Sequence, residues 1–76
     1  MVKNVNKLKG KIAEKGYTLK KLSEELGLSE LTLRRKINDN NYDFYLGETT
    51  DVAKILNLSG EEYLEIFFNS KLEFNS

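Results

Sequence analysis

The apolar residues of this 76-residue chain recur at helical spacing. Leu19, Leu22 and Leu26 lie three or four positions apart with charged residues between them, as expected of a helix with one buried face. Other segments show similar spacing, so the sequence predicts an all-α fold, a compact bundle of about five short helices. A chain of this length holds one small core, and residues 1–76 are therefore treated as a single domain.

The central segment, residues 17–38, has the pattern of two helices joined by a tight turn. Thr18 and Ser29 are suited to cap the two helices, because their hydroxyls accept backbone N–H groups. Gly27 suits a left-handed turn between them. A small residue, a glycine and a later apolar residue also have the required spacing, at Ser23, Gly27 and Leu33. The segment predicts a helix-turn-helix, whose second helix enters the DNA major groove, and the alternative is an ordinary helical hairpin.

The second helix of the motif is expected to bury Leu33 and Ile37 and to present its other side chains outward. Arginine grips guanine through two hydrogen bonds, threonine and leucine contact the thymine methyl, and glutamate accepts from cytosine. The outward residues, predicted to contact bases, are Glu30, Leu31, Thr32, Arg34 and Arg35. The alternative for the run 34–36 is a solvated group of charges.

The composition excludes several function classes. The chain has no cysteine and no histidine, so it lacks disulfides, the commonest zinc ligand and the usual general base. It has no apolar run long enough to span a bilayer, and we expect no signal peptide. We expect a cytoplasmic protein that is not an enzyme and that uses no cofactor, metal, membrane or small-molecule substrate.

Charge is unevenly distributed, although the net charge is zero. Residues 1–38 carry ten basic and four acidic side chains, whereas residues 39–76 carry two basic and eight acidic ones. The basic half contains the motif, which favours DNA as partner with the acidic half turned away. A first helix, capped by Asn4 or Asn6, carries a row of lysines on its outer side, and part of this row is expected to lie along a DNA strand: Lys7, Lys9, Lys11 and Lys15.

The second half of the chain predicts a loop and two further helices. Asn40 and Asn41 lie in a turn-rich loop, where they bind phosphate or form the turn. Phe44 and Leu46 are expected to fill the core. A fourth helix is predicted over 48–57, with its inward side chains at Val52, Ala53 and Leu56.

The last helix is unusually apolar. Ser59 and Glu62 form the pattern of a capping box at its start. One core face does not accommodate all of its apolar residues, Tyr63, Leu64, Ile66, Phe67 and Phe68, so some should meet a partner. The alternating residues 71–74 indicate a short strand or a frayed arm. The segment 59–76 is therefore a candidate dimerisation element, with predicted contacts from Tyr63, Phe67, Phe68, Leu72 and Phe74.

Several short segments carry a resemblance to a known family: LKGKI at 8–12, EKGYT at 14–18, LSEELGLS at 22–29, LGE at 46–48 and VAKILNLS at 52–59. With them the chain from Tyr17 to Phe68 resembles the Cro/CI-type (lambda-repressor-like) helix-turn-helix family, especially small phage-encoded DNA-binding proteins of low-GC Gram-positive hosts. The resemblance implies a five-helix fold, operator binding as a homodimer and a nucleoid-associated repressor or Cro-like regulator.

The resemblance also implies site residues. Base contacts would come from the start of the third helix, at Ser29, Glu30, Leu31, Thr32, Arg34 and Arg35. Phosphate contacts would come from the second helix and the loop after the third, at Thr18, Leu19, Lys20, Lys21, Asn40 and Asn41. The chain departs from the family at Leu19, where many relatives carry a phosphate-binding glutamine. It departs again at Lys36, where many carry an apolar residue, so that Ile37 takes over the packing.

The leading hypothesis is a sequence-specific regulator that binds double-stranded DNA as a dimer. The alternative is a protein-interaction module on the same fold, an antitoxin or antirepressor, acting through the apolar last helix.

Overall fold

The computed structural model describes residues 3–39 and 41–68. They form five helices: α1 (Val5–Glu14), α2 (Leu19–Leu26), α3 (Glu30–Asn38), α4 (Leu46–Ile55) and α5 (Gly60–Phe67). The predicted all-α bundle is confirmed. The predicted strand at 71–74 lies outside the described residues.

The helix ends of the motif follow its local sequence. The Thr18 hydroxyl accepts from the Lys21 N–H at 3.1 Å. The Ser29 hydroxyl accepts from the Thr32 N–H at 3.0 Å, so both predicted caps are confirmed. Gly27 has φ of 74°, the left-handed conformation expected at the turn. At α1 the cap is Asn4, whose side chain accepts from Lys7 N–H at 3.1 Å.

The core lies where all five helices meet. The residues buried in it are Leu8, Ile12, Leu22, Leu33, Ile37, Phe44, Val52, Leu56, Ile66 and Phe67. The rings of Phe44 and Phe67 meet edge-on, with centroids 5.4 Å apart, and join the loop after α3 to α5. Leu33 and Ile37 are fully buried, so the inner face of α3 is fixed against the core.

The start of α4 differs from the prediction. Its first residue is Leu46, whose side chain is 63% exposed, so the expectation that Leu46 fills the core is wrong. The physical reason is the Glu48 carboxylate, which accepts the Tyr45 N–H at 2.9 Å and caps the helix two residues earlier than predicted. Of the two residues expected to fill the core here, Phe44 and Leu46, only Phe44 is buried. Ala53, predicted to point inward from α4, is half-buried.

The apolar residues of α5 divide between the core and the surface. Its capping box is confirmed, because Ser59 and Glu62 exchange hydrogen bonds of 2.9 and 3.1 Å. Phe67 is fully buried, so its predicted role in dimer contacts is corrected: its ring packs inside the protomer and is not available to a partner. Leu64 and Phe68 remain 38% and 43% exposed.

Ion pairs join α1 to α5. Lys7 Nζ lies 2.9 Å from a Glu65 carboxylate oxygen, and Lys11 Nζ lies 2.6 Å from one of Glu62. The hydrogen bond from Lys11 is the main cause that lowers the pKa of Glu62 to about 2. Lys7 and Lys11 therefore face α5, which leaves Lys9 and Lys15 as the part of the lysine row that is available to DNA.

Candidate nucleic-acid interface

The close crossing of α2 and α3 positions the candidate interface. Ser23 is buried where they cross, and its hydroxyl donates to the Lys20 carbonyl at 2.7 Å. Its own carbonyl accepts the Leu28 N–H at 2.9 Å, which closes the turn around Gly27. A small side chain is needed here because a larger one would separate the two helices. The outer face of α3 is exposed at Leu31, Arg34 and Arg35.

The residues predicted to contact bases lie together at and after the start of α3. Leu31 is 53% exposed. Arg34 Nη2 lies 3.0 Å from a Glu30 carboxylate oxygen, one helical turn away. The Ser29 hydroxyl donates to the Thr32 hydroxyl at 2.8 Å. The fold thus collects apolar, acidic, basic and hydroxyl groups on one short surface, the mixture that reads base edges.

Arg35 and Lys36 have different environments despite being neighbours. The Arg35 guanidinium lies 5.5 Å from the centre of the Tyr42 ring, a cation–π contact at the surface. Lys36 is only 8% exposed, so the interpretation of this run as solvated charges is wrong for that residue. Its ammonium group pairs with Glu48 at 3.1 Å, and Ile37 beside it is fully buried, as the sequence predicted.

The residues predicted to contact phosphates divide into two groups. Thr18, Lys20 and Lys21 are exposed at the start of α2, and Leu19 is half-buried against the core. The Asn41 N–H donates to an Asp39 carboxylate oxygen at 2.9 Å, which is turn geometry and leaves the exposed Asn41 side chain beside α3. Asn40 lies outside the described residues.

Internal ion pairs reduce the positive charge that this face offers to DNA. Among the described residues, ion pairs occupy Lys7, Lys11, Arg34 and Lys36. No ion pair within the described ranges involves four exposed lysines in α1, at its end and in α2, which are Lys9, Lys15, Lys20 and Lys21. These four side chains and Arg35 are candidates for phosphate contacts.

Sequence reasoning missed Lys3. Its ammonium group donates to the carbonyl of Lys36 and, at 2.8 Å, to that of Tyr42. These partners lie more than thirty positions away in the sequence, and no local sequence pattern indicates such a contact.

No helix in the described part of the chain has the length and apolar character needed to cross a membrane.

Comparisons with known proteins agree with this geometry. The chain matches the family model of the Cro/C1-type helix-turn-helix DNA-binding domain over residues 7–68. It is similar to the solution structure of the modulator of repression (MOR) of the temperate bacteriophage TP901-1 from Lactococcus lactis, with 32% sequence identity and a TM-score of 0.71. That similarity covers 91% of this chain and 92% of the other. A comparison with curated proteins gives no match.

Proposed function

The chain belongs to the Cro/C1-type helix-turn-helix DNA-binding family, and from this we propose that it regulates phage or prophage transcription. It binds a two-fold-symmetric operator as a homodimer and acts as a repressor or Cro-like regulator. The observation that carries the proposal is the outer face of α3, fixed by the buried Leu33 and Ile37 and free of other helices. A short helix held in this way fits the major groove.

In this proposal the side chains at the start of α3 recognise the base sequence of the operator. Arg34 leaves Glu30 to bind a guanine edge, while Leu31 and Thr32 contact thymine methyl groups. Ser29 and Glu30 lie within reach of the neighbouring bases. Arg35 contributes at the edge of the same surface.

The start of α2 positions the protein on the DNA backbone. Thr18, Lys20 and Lys21 contact phosphates on one side of α3, and the loop residues Asn40 and Asn41 contact them on the other. Leu19 lies at the same end of α2 but is half-buried, so its backbone N–H is the group offered to phosphate. Phosphate contacts of this kind fix register without carrying sequence information.

The exposed part of α5 supplies the dimer contacts in this proposal. Leu64 in α5 and Phe68 just after its end leave large apolar side chains at the surface, and the Tyr63 ring lies 5.6 Å from that of Phe68. Leu72 and Phe74 follow in the sequence and extend the same contact. A two-fold dimer would place its two recognition helices about one DNA turn apart, roughly 10 base pairs.

A second candidate is modulation of a repressor through protein contact. The similar phage protein is named a modulator of repression, and Tyr45 and Leu46 are 73% and 63% exposed here. An apolar surface of this kind suits a protein partner.

Selection of bound duplexes from a random DNA library, at low and at physiological salt, tests the proposal. Enrichment of a two-fold-symmetric site that survives physiological salt is the expected result. An unenriched pool, with binding lost as salt rises, would leave only non-specific affinity and would favour the second candidate.

A further inference from the structure

Lys3 binds the end of the recognition helix from outside it. Its Nζ donates to the carbonyl oxygens of Lys36, of Tyr42 at 2.8 Å and of Asp39 at 3.4 Å. Carbonyls at the end of a helix lack partners within the helix, and a cation is favoured there by the helix dipole. One side chain thus satisfies three acceptors at the end of α3 and in the α3–α4 loop, whose described residues are 39 and 41–45.

Lys36 binds the other end of the same loop. Its Nζ donates to the Asp43 carbonyl at 3.0 Å and pairs with Glu48 at 3.1 Å. It also lies 4.4 Å from the centre of the Tyr45 ring. The same Glu48 oxygen accepts the Tyr45 N–H, so one carboxylate joins the last turn of α3 to the start of α4.

Both ammonium groups are held by acceptors within the protein. The side chain of Lys36 is 10% exposed, and Lys3 is half-buried with its Nζ donating to three carbonyl oxygens. The charges of Asp39, Asp43 and Lys36 all act on Lys3, so the two lysines belong to one local charge cluster. The neighbouring Asn4 N–H donates to the Ile66 carbonyl at 2.7 Å, which ties the backbone beside Lys3 to α5.

We propose that Lys3 and Lys36 are positioning residues for DNA binding, which fix the α3–α4 loop and the end of the recognition helix without touching DNA. The inference rests on the proposed function, because the loop carries Asn41, a predicted phosphate contact. It goes beyond that function by giving two lysines that do not touch DNA a part in recognition. Their replacement should weaken recognition and leave the number of released counterions unchanged.

The first measurement uses the free protein. Amide hydrogen exchange is compared for Lys3→Met and Lys36→Met, which keep an unbranched side chain without the charge, and for the control Lys9→Met on the exposed side of α1. The N–H groups of Asn41, Tyr42 and Tyr45 are hydrogen-bonded in this loop and report on it directly. We expect exchange about fivefold faster in both variants and unchanged exchange in the control. Unchanged exchange in Lys3→Met and Lys36→Met overturns the proposal.

The second measurement follows binding to the selected operator and to an unrelated duplex as salt is varied. Lys3→Met should lower operator affinity about fivefold, with non-specific affinity and the salt slope unchanged. If Lys3 only stabilises the fold, Lys3→Met should reduce the fraction of protein that is folded and able to bind. The apparent affinities for the operator and for the unrelated duplex would then fall together, and their ratio would not change. Lys3→Arg keeps donors at the end of the side chain and should restore much of the ratio.

Lys20→Met is the contrasting variant, because Lys20 is exposed and predicted to contact phosphate. It should make the salt slope shallower by about 1. The same shallower slope in Lys3→Met would identify Lys3 as a phosphate contact and overturn the proposal. If the wild-type protein prefers no duplex, the proposed function fails, and the exchange measurement alone then decides whether the lysines hold the loop.

Discussion

Arg34 and Glu30 form an ion pair across one turn of the recognition helix, with Nη2 of Arg34 3.0 Å from Oε2 of Glu30. Their side chains are 52% and 43% exposed. Exposed pairs of this spacing contribute only about 0.2–0.5 kcal/mol to helix stability. The guanidinium can therefore leave Glu30 for a guanine edge at small free-energy cost.

Replacement of Arg34 by alanine should reduce sequence recognition. We expect Arg34→Ala to lose about 1–3 kcal/mol of binding free energy at the selected operator and to relax base preference at one position. Competition binding against operators with single base-pair changes measures both effects. Lys54→Ala is the matched control, since it removes one exposed positive charge from α4, away from the motif. Equal binding of wild type and Arg34→Ala to every duplex would contradict the assignment.

Replacing lysines that look alike in the sequence should have different effects on the salt dependence of DNA binding. Lys20 is exposed at the start of α2, whereas Lys7 pairs with Glu65 on α5 at 2.9 Å. A phosphate contact contributes about 0.9 to the slope of log affinity against log salt. Lys20→Ala should therefore flatten the slope by about 1, and Lys7→Ala should leave it unchanged. Filter-binding titrations over a range of salt concentrations decide this, and a flatter slope for Lys7→Ala would show that our division of the lysines is wrong.

Alanine substitution at two of the glycines should change the unfolding free energy in opposite directions. Gly27 has φ of 74°, and no atom lies within 4 Å of an added Cβ, so the penalty there is backbone strain alone. Gly27→Ala should cost about 1–2 kcal/mol of unfolding free energy. Gly10 lies inside α1 with equally open surroundings, and Gly10→Ala should stabilise by about 0.5–1 kcal/mol. Urea unfolding of both variants measures the difference, and destabilisation of similar size at both positions would contradict the strain argument.

The turn and caps of the motif could be predicted because each acts within one helical turn of its own sequence. Thr18, Gly27 and Ser29 act through backbone groups at most five positions away. The environments of Lys3 and Lys36 could not be predicted, because their partners come from other segments. Whether a lysine faces DNA, α5 or a loop depends on which helices pack together, and helical spacing alone does not fix that.

A related limit of helical spacing explains why the prediction that Leu46 fills the core is wrong. Apolar periodicity places an apolar residue near a helix start but does not locate the cap. The cap depends on Glu48, whose carboxylate also pairs with Lys36. The position of α4 is thus set by a tertiary contact as well as by its local sequence.

Stability should fall in acid partly through Glu62. Its pKa is lowered to about 2, chiefly by the hydrogen bond from Lys11 and next by the Ser59 N–H. A carboxyl group whose pKa is lower in the folded state stabilises the fold above its unfolded pKa, and that contribution disappears as pH falls through the folded pKa. The loss should therefore extend from about pH 4.5 down to about pH 2.

Urea unfolding of Glu62→Gln across this range tests the assignment. The variant should be less stable than wild type at neutral pH, and the two curves should converge in acid. Glu61→Gln is the control, because Glu61 is exposed and takes no part in the capping box. Parallel curves for wild type and Glu62→Gln would exclude the proposed contribution.

Substitutions at the surface of α5 should weaken dimerisation, whereas a substitution in its buried face should lower the stability of the fold. Leu64 and Phe68 are 38% and 43% exposed, whereas the adjacent Phe67 is fully buried. The double variant Leu64→Glu/Phe68→Glu should remain helical but sediment as a monomer, because charges on an apolar contact oppose association. Its affinity should fall toward that of a single half-site. Phe67→Ala should instead lose about 3–5 kcal/mol of unfolding free energy through the cavity it leaves.

A chain ending at Phe68 tests the predicted contribution of Leu72 and Phe74 separately. Weaker association of this shortened chain, measured by sedimentation equilibrium, would place the tail in the dimer. Association as tight as that of the full chain would restrict the contact to Leu64, Phe68 and their neighbours on α5. Sedimentation of the double variant like wild type would move the dimer contact away from α5 altogether. The exposed Tyr45 and Leu46 at the start of α4 would then be the next residues to replace.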